Sequence, residues 1–278
     1  MQVLHPPIAM SIFDMFKVGP GPSSSPTIGP MQAGADFVSL VNKLPPEILS
    51  RARGIRVRLL GSLSATGRGH GTDWAVIAGL MGYVPEQCPP TLLQALPRLD
   101  AAERVVRAGA TALPLTTECI DYGPVQHDFP YSNTLFIDLL SVPYPPAFAP
   151  GSEPPEARMF ISRPPGGKPE ACVQEEIDAY ADAILFSKEY YSVGGGFLQW
   201  KGWLAEERGR PAYPYVNMNE LQVRLAESGL SLDELLMENE LAITGASPKD
   251  VQQGLERLLE LMKDTVGRGC EADGPLPG

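Results

Sequence analysis

Closely spaced cysteines are missing from this sequence. Its 278 residues hold four, Cys88, Cys119, Cys172 and Cys270, with no C-x-x-C pair among them. Four scattered thiols do not make the disulfide framework of a small secreted domain. They also lack the paired spacing by which iron–sulfur and zinc ligands are usually recognised. Long apolar runs are missing as well, and no stretch reaches the roughly 18 residues of a membrane span. The opening MQVLHPPIAM has no basic region leading into an apolar core, so no secretory signal is read and the expected compartment is the cytoplasm. Basic charge is in deficit: 22 Lys and Arg stand against 33 Asp and Glu, a net charge of −11. That balance argues against nucleic acid or an anionic membrane as a partner held by charge. No internal repeat is visible.

What the chain has in quantity is glycine and proline, 28 and 29 residues, and their clusters punctuate it. Residues 1–9 are apolar and patternless, and are expected to be a disordered leader. SIFDMF (Ser11–Phe16) is a short amphipathic turn, and Val18–Thr27 a loop. The spacing of Met31, Ala35, Val38 and Val41 predicts a helix over Ile28–Asn42, ended by Pro45–Pro46. IRVRLL (Ile55–Leu60) alternates, with Arg56 and Arg58 opposite Ile55, Val57 and Leu59, as a half-buried strand does. Gly61–Gly71 reads as a glycine-punctuated loop. Thr72 then caps the helix TDWAVIAGLMG, and Asp73 suits its positive end. Further helix is expected near Ala101–Val106, and strands at Asn133–Leu140 and Ala157–Ser162. The second of these strands falls inside a Pro- and Gly-rich loop or linker over 142–170. Ile184–Leu198 is β-rich and contains three consecutive glycines.

After Pro214 the character is helical. The expected helices are Asn219–Ser228, then SLDELLMENELA with a Ser231–Glu234 capping box, then SPKDVQQGLERLLELMKDTVGRG. The last carries Val251, Leu255, Leu258, Leu259, Met262 and Val266 at helical spacing. The resulting organisation is an α/β (α+β) domain over 10–212 and the first helices of an all-α domain over 213–278. Three helices with an apolar stripe make a thin core, so this second region is expected to pack on more protein.

Four segments carry side chains suited to chemistry. In GPGPSSSPTIGP (Gly19–Pro30), Ser23, Ser24, Ser25 and Thr27 precede a helix and can offer O–H and N–H donors to a carboxylate or phosphate. In Gly61–Asp73, Arg68 is a natural bidentate partner for a carboxylate and His70 can act as acid or base. In HDFPYSNTL (His127–Leu135), His127 and Asn133 could meet at one pocket. In YYSVGGGF (Tyr190–Phe197), Gly194, Gly195 and Gly196 permit close backbone approach or positive φ. Each has an ordinary structural explanation too: a Ser-rich cap, a solvated loop, an incidental histidine, a tight turn.

Taken together the segments resemble a known family. MSIFDMFKVGPGPSSSPTIGPMQAG is similar to the opening of iron–sulfur-dependent L-serine dehydratases, whose pattern reads S-[IL]-F-D-[LM]-F-K-[IV]-G-x-G-P-S-S-S-H-T-x-G-P-M. GSLSATGRGHGTD resembles their G-S-L-x-x-T-G-x-G-H-x-T-D, and YYSVGGGF their Y-Y-S-[IV]-G-G-G-F. The segment from Met237 to Gly278 is similar to the lead-in of their catalytic helical domain. The resemblance implies an N-terminal α/β domain like the allosteric substrate-binding domain of phosphoglycerate dehydrogenase, joined to an all-α domain. It implies conversion of L-serine to pyruvate and ammonia with a [4Fe–4S] cluster as Lewis acid. The cluster's three cysteines are expected beyond residue 278, so no metal ligand is assigned here and the chain by itself is expected to be inactive. By resemblance, Ser23–Ser25, Thr27, Arg68, His70, Thr72 and Asp73 face the domain junction or the effector-like site and are the candidates for binding substrate or effector, with Asn133 added from its place near His127. His70 is the catalytic candidate and Gly194–Gly196 set backbone geometry. Pro26 stands where the family pattern has histidine, and Gly71 where a second histidine is common. The partners implied are L-serine or a similar small anion, with a separate chain supplying the α domain or a second copy of this chain. The alternative is a non-catalytic module that binds serine or another anion. A pyridoxal-phosphate mechanism finds no Schiff-base lysine in a Gly-rich context.

Overall fold

The computed structural model describes residues 6–21, 23–145, 180–204 and 208–273. The strand expected at Ala157–Ser162, and most of the 142–170 linker, lie outside the described residues. Along the chain run α1 (Ile12–Met15), α2 (Gly29–Val41), α3 (Pro46–Leu49), β1 (Gly54–Gly61), α4 (Ser62–His70), α5 (Thr72–Leu80) and α6 (Leu92–Ala95). Then come β2 (Val105–Ala108), β3 (Thr111–Pro114), β4 (Ile120–Tyr122), β5 (Asn133–Leu140), β6 (Ile184–Val193) and β7 (Phe197–Trp200). The chain continues with α7 (Met218–Ser228), α8 (Leu232–Thr244) and α9 (Pro248–Glu271). Among the described residues two compact units result, one within 18–203 and the other made of 6–17 and 204–273.

The first unit is mixed α/β. Five strands lie in the order β4-β1-β5-β6-β7, with β4 parallel to β1 and the other neighbours antiparallel. The alternation in β1 places Ile55, Val57 and Leu59 in a core with Phe37, Val41, Val76, Ile77 and Leu80. Burying each such side chain stabilises by about 1.5–3 kcal/mol. The arginine face is not solvated as a half-buried strand would have it. Arg56 is 5% exposed and pairs with Asp121 at 2.5 Å, and Arg58 pairs with the buried Asp138 at 3.1 Å. Buried charges persist because each has its counter-charge.

Helices α2 and α5 cross on the apolar face with almost nothing between them. A Cβ on Gly34 would lie 2.7 Å from the Val76 carbonyl oxygen, and one on Gly79 would lie 2.0 Å from that of Met31. Only glycine allows backbones that close.

Four local expectations need correction. Gly61–Gly71 is not a loop, because Ser62–His70 is helix α4. Its glycines weaken a helix in isolation, but Leu63 and Gly67 are buried and packing overrides propensity. Thr72 is not the cap of α5. Gly71, at φ 67°, occupies that position between the two helices, and Thr72 is the first helical residue. The helix expected near Ala101–Val106 is replaced by strand β2, paired with β3 across a turn at Gly109, φ 60°. The loop over Val18–Thr27 also shortens, since Ser24–Ile28 form a π-helical turn leading into α2.

The second unit is helical. Asn217 caps α7, Ser231 and Glu234 form the expected capping box on α8, and Ser247 with Asp250 forms another on α9. Its small core holds Leu221, Leu235, Ile243 and Val251. Leu259, Met262 and Val266 on α9 are exposed. The boundary expected at residue 10 differs from the contacts. Ser11 Oγ and Ile12 N donate to the buried Glu240 carboxylate at 2.5 and 2.9 Å, and Asp14 pairs with Arg208. Ile8 N donates to Tyr215 O at 3.0 Å. Residues 8–14 therefore belong with the helices, held by polar bonds that hydrophobic patterning does not reveal. Among the described residues no helix is long and apolar enough to cross a membrane.

Candidate functional site

The serine-rich segment and the triple glycine meet. The π-helical turn at Ser24–Ile28 forms because Thr27 N donates to Ser23 O and Gly29 N to Ser24 O. Thr27 is fully buried and its hydroxyl also donates to Ser23 O, so that side chain serves the turn. Against this turn sits the Gly194–Gly196 connection between β6 and β7. Gly195 and Gly196 have φ of 71° and 85°, and a Cβ on Gly196 would lie 3.0 Å from Ser24 O. Ser192 Oγ locks the two together by donating to Ser25 O at 2.7 Å. The hydroxyls of Ser23, Ser24 and Ser25 are half-buried, and among the described residues they make no hydrogen bond. Helices α4 and α5 both touch this turn.

A second cluster forms where α4 ends and α5 begins. Arg68 is exposed, and its guanidinium carbon lies 4.6 Å from the centre of the Tyr122 ring. Thr72, fully buried, begins α5 with its Oγ1 unpartnered. Asp73 Oδ1 accepts from Trp74 N at 2.9 Å. Burial pushes the Asp73 carboxyl above its ordinary range, against the opposing pull of the Trp74 N–H, Tyr122 and Arg68. The Tyr122 phenol is pushed up by burial and then by the Asp73 charge, with Arg68 opposing. Asp73 and Arg68 are its polar neighbours, and the hydroxyl itself is buried with no hydrogen-bond partner among the described residues. His70 Nδ1 lies 3.0 Å from Thr66 O. A carbonyl can only accept, so Nδ1 carries the proton, and in the neutral ring Nε2 keeps its lone pair.

Asn133 and His127 do not join this cluster. Asn133 is opposite Gly61 in the β1–β5 ladder, and His127 Nε2 would lie 2.6 Å from a Cβ on Gly61. Both therefore sit at the start of α4, about 12 Å along its axis from His70. Tyr122 is the residue that sequence reasoning missed. It ends a three-residue strand inside CIDYGP, where no spacing or composition marks it.

Comparison with known proteins bears on this arrangement. Residues 11–143 match the family described as serine dehydratase beta chain. L-serine dehydratase 2 of Escherichia coli (strain K12) is 31% identical over 97% of this chain and 51% of its own length. L-serine dehydratase 1 of the same organism is 33% identical over 97% of this chain and 51% of its own. L-serine dehydratase of Streptomyces coelicolor is 30% identical over 98% and 52%.

The chain belongs to the L-serine dehydratase family. It spans about half the length of the curated relatives it matches. Both clusters, the Ser23–Thr27 turn and the Arg68–Asp73 junction, fall inside the stretch that matches the dehydratase beta chain, whereas Gly194–Gly196 lie beyond it. The three described cysteines of this dehydratase-family chain do not fit a cluster. Cys119 is buried with its thiol against Tyr144 O, Cys88 is half-buried with its thiol donating to Pro85 O, and Cys270 is exposed on α9. Burial pushes both the Cys88 and Cys119 thiols up, away from the thiolate a metal needs. Cys172 lies outside the described residues, and among those described no group of three His, Cys, Asp or Glu could hold a metal ion.

Proposed function

We propose that this chain serves L-serine deamination as the part of an L-serine dehydratase that holds the amino acid by its carboxylate. The observation carrying the reading is the junction of α4 and α5. There Arg68 and the unpartnered Thr72 hydroxyl supply donors at one place, at the start of α5, where the Asp73 carboxylate already accepts from the Trp74 N–H. Asp73 beside them is an acceptor for an ammonium group. In the overall reaction, L-serine loses water to give aminoacrylate. This tautomerises to an imine, and hydrolysis yields pyruvate and ammonia. His70 is the base candidate, since its free Nε2 can take a proton. The Ser23–Ser25 hydroxyls stand near as further donors to substrate or effector, and Gly194–Gly196 hold their backbone in place.

The finer parts of the reading rest on family likeness. They are an α/β unit of the kind that binds effectors in phosphoglycerate dehydrogenase, a cytoplasmic setting, and a [4Fe–4S] cluster on protein other than the residues described. The exposed stripe on α9 and the doubled length of the relatives support a helical partner, in this or another chain. A homodimer is the other association the reading admits. The chain is organised as an α/β domain and a helical region, expected over 10–212 and 213–278, with residues 8–14 taken out of the first and joined to the second. A second reading, a sensor of serine without turnover, draws on Pro26. Where the family pattern has histidine, Pro26 offers neither a titrating ring nor an N–H.

Calorimetry with L-serine, alongside an anaerobic pyruvate assay, tests both. L-Serine is expected to bind the chain, and pyruvate to form only once a polypeptide equivalent to the relatives' other half is supplied. Absence of heat at millimolar L-serine removes the proposal. Binding without pyruvate even when that half is present favours the sensor.

A further inference from the structure

Two hydroxyls on side chains that flank Gly67 are buried without a hydrogen-bond partner. Thr72 Oγ1 and Tyr122 OH both lack a hydrogen-bond partner. Gly67 marks their proximity, because a Cβ there would lie 3.3 Å from Thr72 Oγ1 and 3.4 Å from Tyr122 Cε1. Folded proteins leave few such groups, and each costs stability unless something completes it. Both side chains flank the start of α5, where Asp73 already accepts from the Trp74 N–H, so these two hydroxyls are the donors left over there. Arg68 adds a positive charge held over the ring, and Asp73 is the one carboxylate among the groups gathered here.

We propose that Tyr122 is a ligand-binding residue of this site, its hydroxyl acting with that of Thr72 to grip the carboxylate of a small α-amino acid while its ring holds Arg68 in position. The inference deepens the serine-binding reading and rests on it. A carboxylate satisfies the donors, and an α-ammonium pairs with Asp73, so the site selects for the amino-acid zwitterion rather than for the serine side chain. Arg68, the exposed member, covers the ring, and its long side chain is the element that shifts to admit the carboxylate.

The test uses the whole chain, with L-serine and L-serinamide as calorimetric probes. The amide lacks the charged carboxylate, so the wild type binds L-serine more tightly. Tyr122→Phe keeps the ring and loses the hydroxyl, and it is expected to weaken L-serine by roughly ten- to a hundredfold, as loss of a bond to a charged group does. L-Serinamide is expected to bind nearly as before, so the preference collapses. Thr72→Val is expected to do the same. Both variants remove an unsatisfied buried group, so without ligand their melting temperatures hold or rise. A residue that merely supports the fold gives the opposite pairing: a lower melting temperature and equal losses for both probes. That pairing, or a Tyr122→Phe chain that keeps the full preference for L-serine, overturns the inference alone. A wild-type chain that gives no heat with L-serine overturns the serine-binding reading and this inference with it.

Discussion

Replacing Glu240 by alanine cuts the N-terminal segment from the helices. The Glu240 side chain is buried, 6% exposed, and it accepts from Ser11 Oγ at 2.5 Å and from Ile12 N at 2.9 Å. Ser11 is itself 5% exposed, so water replaces neither bond without a rearrangement. Hydrogen bonds to a charged group contribute about 1.5–3 kcal/mol each. Removing the acceptor also strands a backbone N–H and a hydroxyl, so the helical unit is expected to lose about 3–5 kcal/mol. Glu240→Gln keeps an acceptor oxygen and recovers part of it. The tryptophans offer an internal control. Trp74, Trp200 and Trp203 all belong to the α/β unit, so their emission reports that unit, while far-UV circular dichroism sees both. In urea, Glu240→Ala is expected to move a dichroism transition to lower denaturant and leave the emission transition in place. A shift of less than about 1 kcal/mol, the scale of a single ordinary hydrogen bond, would show that the segment is not anchored through this carboxylate.

Two further perturbations probe the α/β unit. Gly79→Ala drives a methyl to 2.0 Å from the Met31 carbonyl, and the overpacking outweighs the better helix propensity of alanine. The emission midpoint in urea is expected to fall by an amount equivalent to about 2 kcal/mol, and an unchanged midpoint would refute the close crossing. Asp73→Asn tests the raised carboxyl. A carboxyl with a folded pKa above its unfolded value of about 3.9 favours the fold when protonated, and that contribution is lost as pH rises through the folded value. The variant is therefore expected to melt higher than wild type at pH 7, with the gap closing as pH falls towards 4; a wild type that melts higher at pH 7 contradicts it.

Much of the scaffold was legible from pattern. Alternation over Ile55–Leu60 gave a strand, the spacing of Met31 through Val41 gave α2, and Ser231 with Glu234 gave the start of α8. What escaped depends on contacts distant in sequence. Arg56 and Arg58 read as a wet face, and the acids that bury them, Asp121 and Asp138, are remote in the chain. Helix α4 was hidden by glycines that only tertiary packing tolerates, so Arg68 and His70 were read on a loop and lie in a helix's last turn. AAERVV carries helix formers, yet the pairing of Val105 and Val106 with Pro114 and Leu113 decides for strand. In the candidate site, the charged and hydroxyl side chains were visible from their types. Tyr122 was not, because its part comes from a ring beneath Arg68 and a hydroxyl without a partner, neither of which leaves a trace in residue order.

The bare crossing of α2 and α5 also bears on how the site can vary. Gly34 lies five residues into α2, just after the serine-rich turn, and Gly79 lies one short of the end of α5, about 10 Å from Thr72. Two rods pinned at a shared pivot carry the donors at their leading ends. A substitution that prises the rods apart by even an ångström would misalign both ends at once. New specificities should therefore arise by exchanging the groups at the tips, with the pivot left as glycine on glycine.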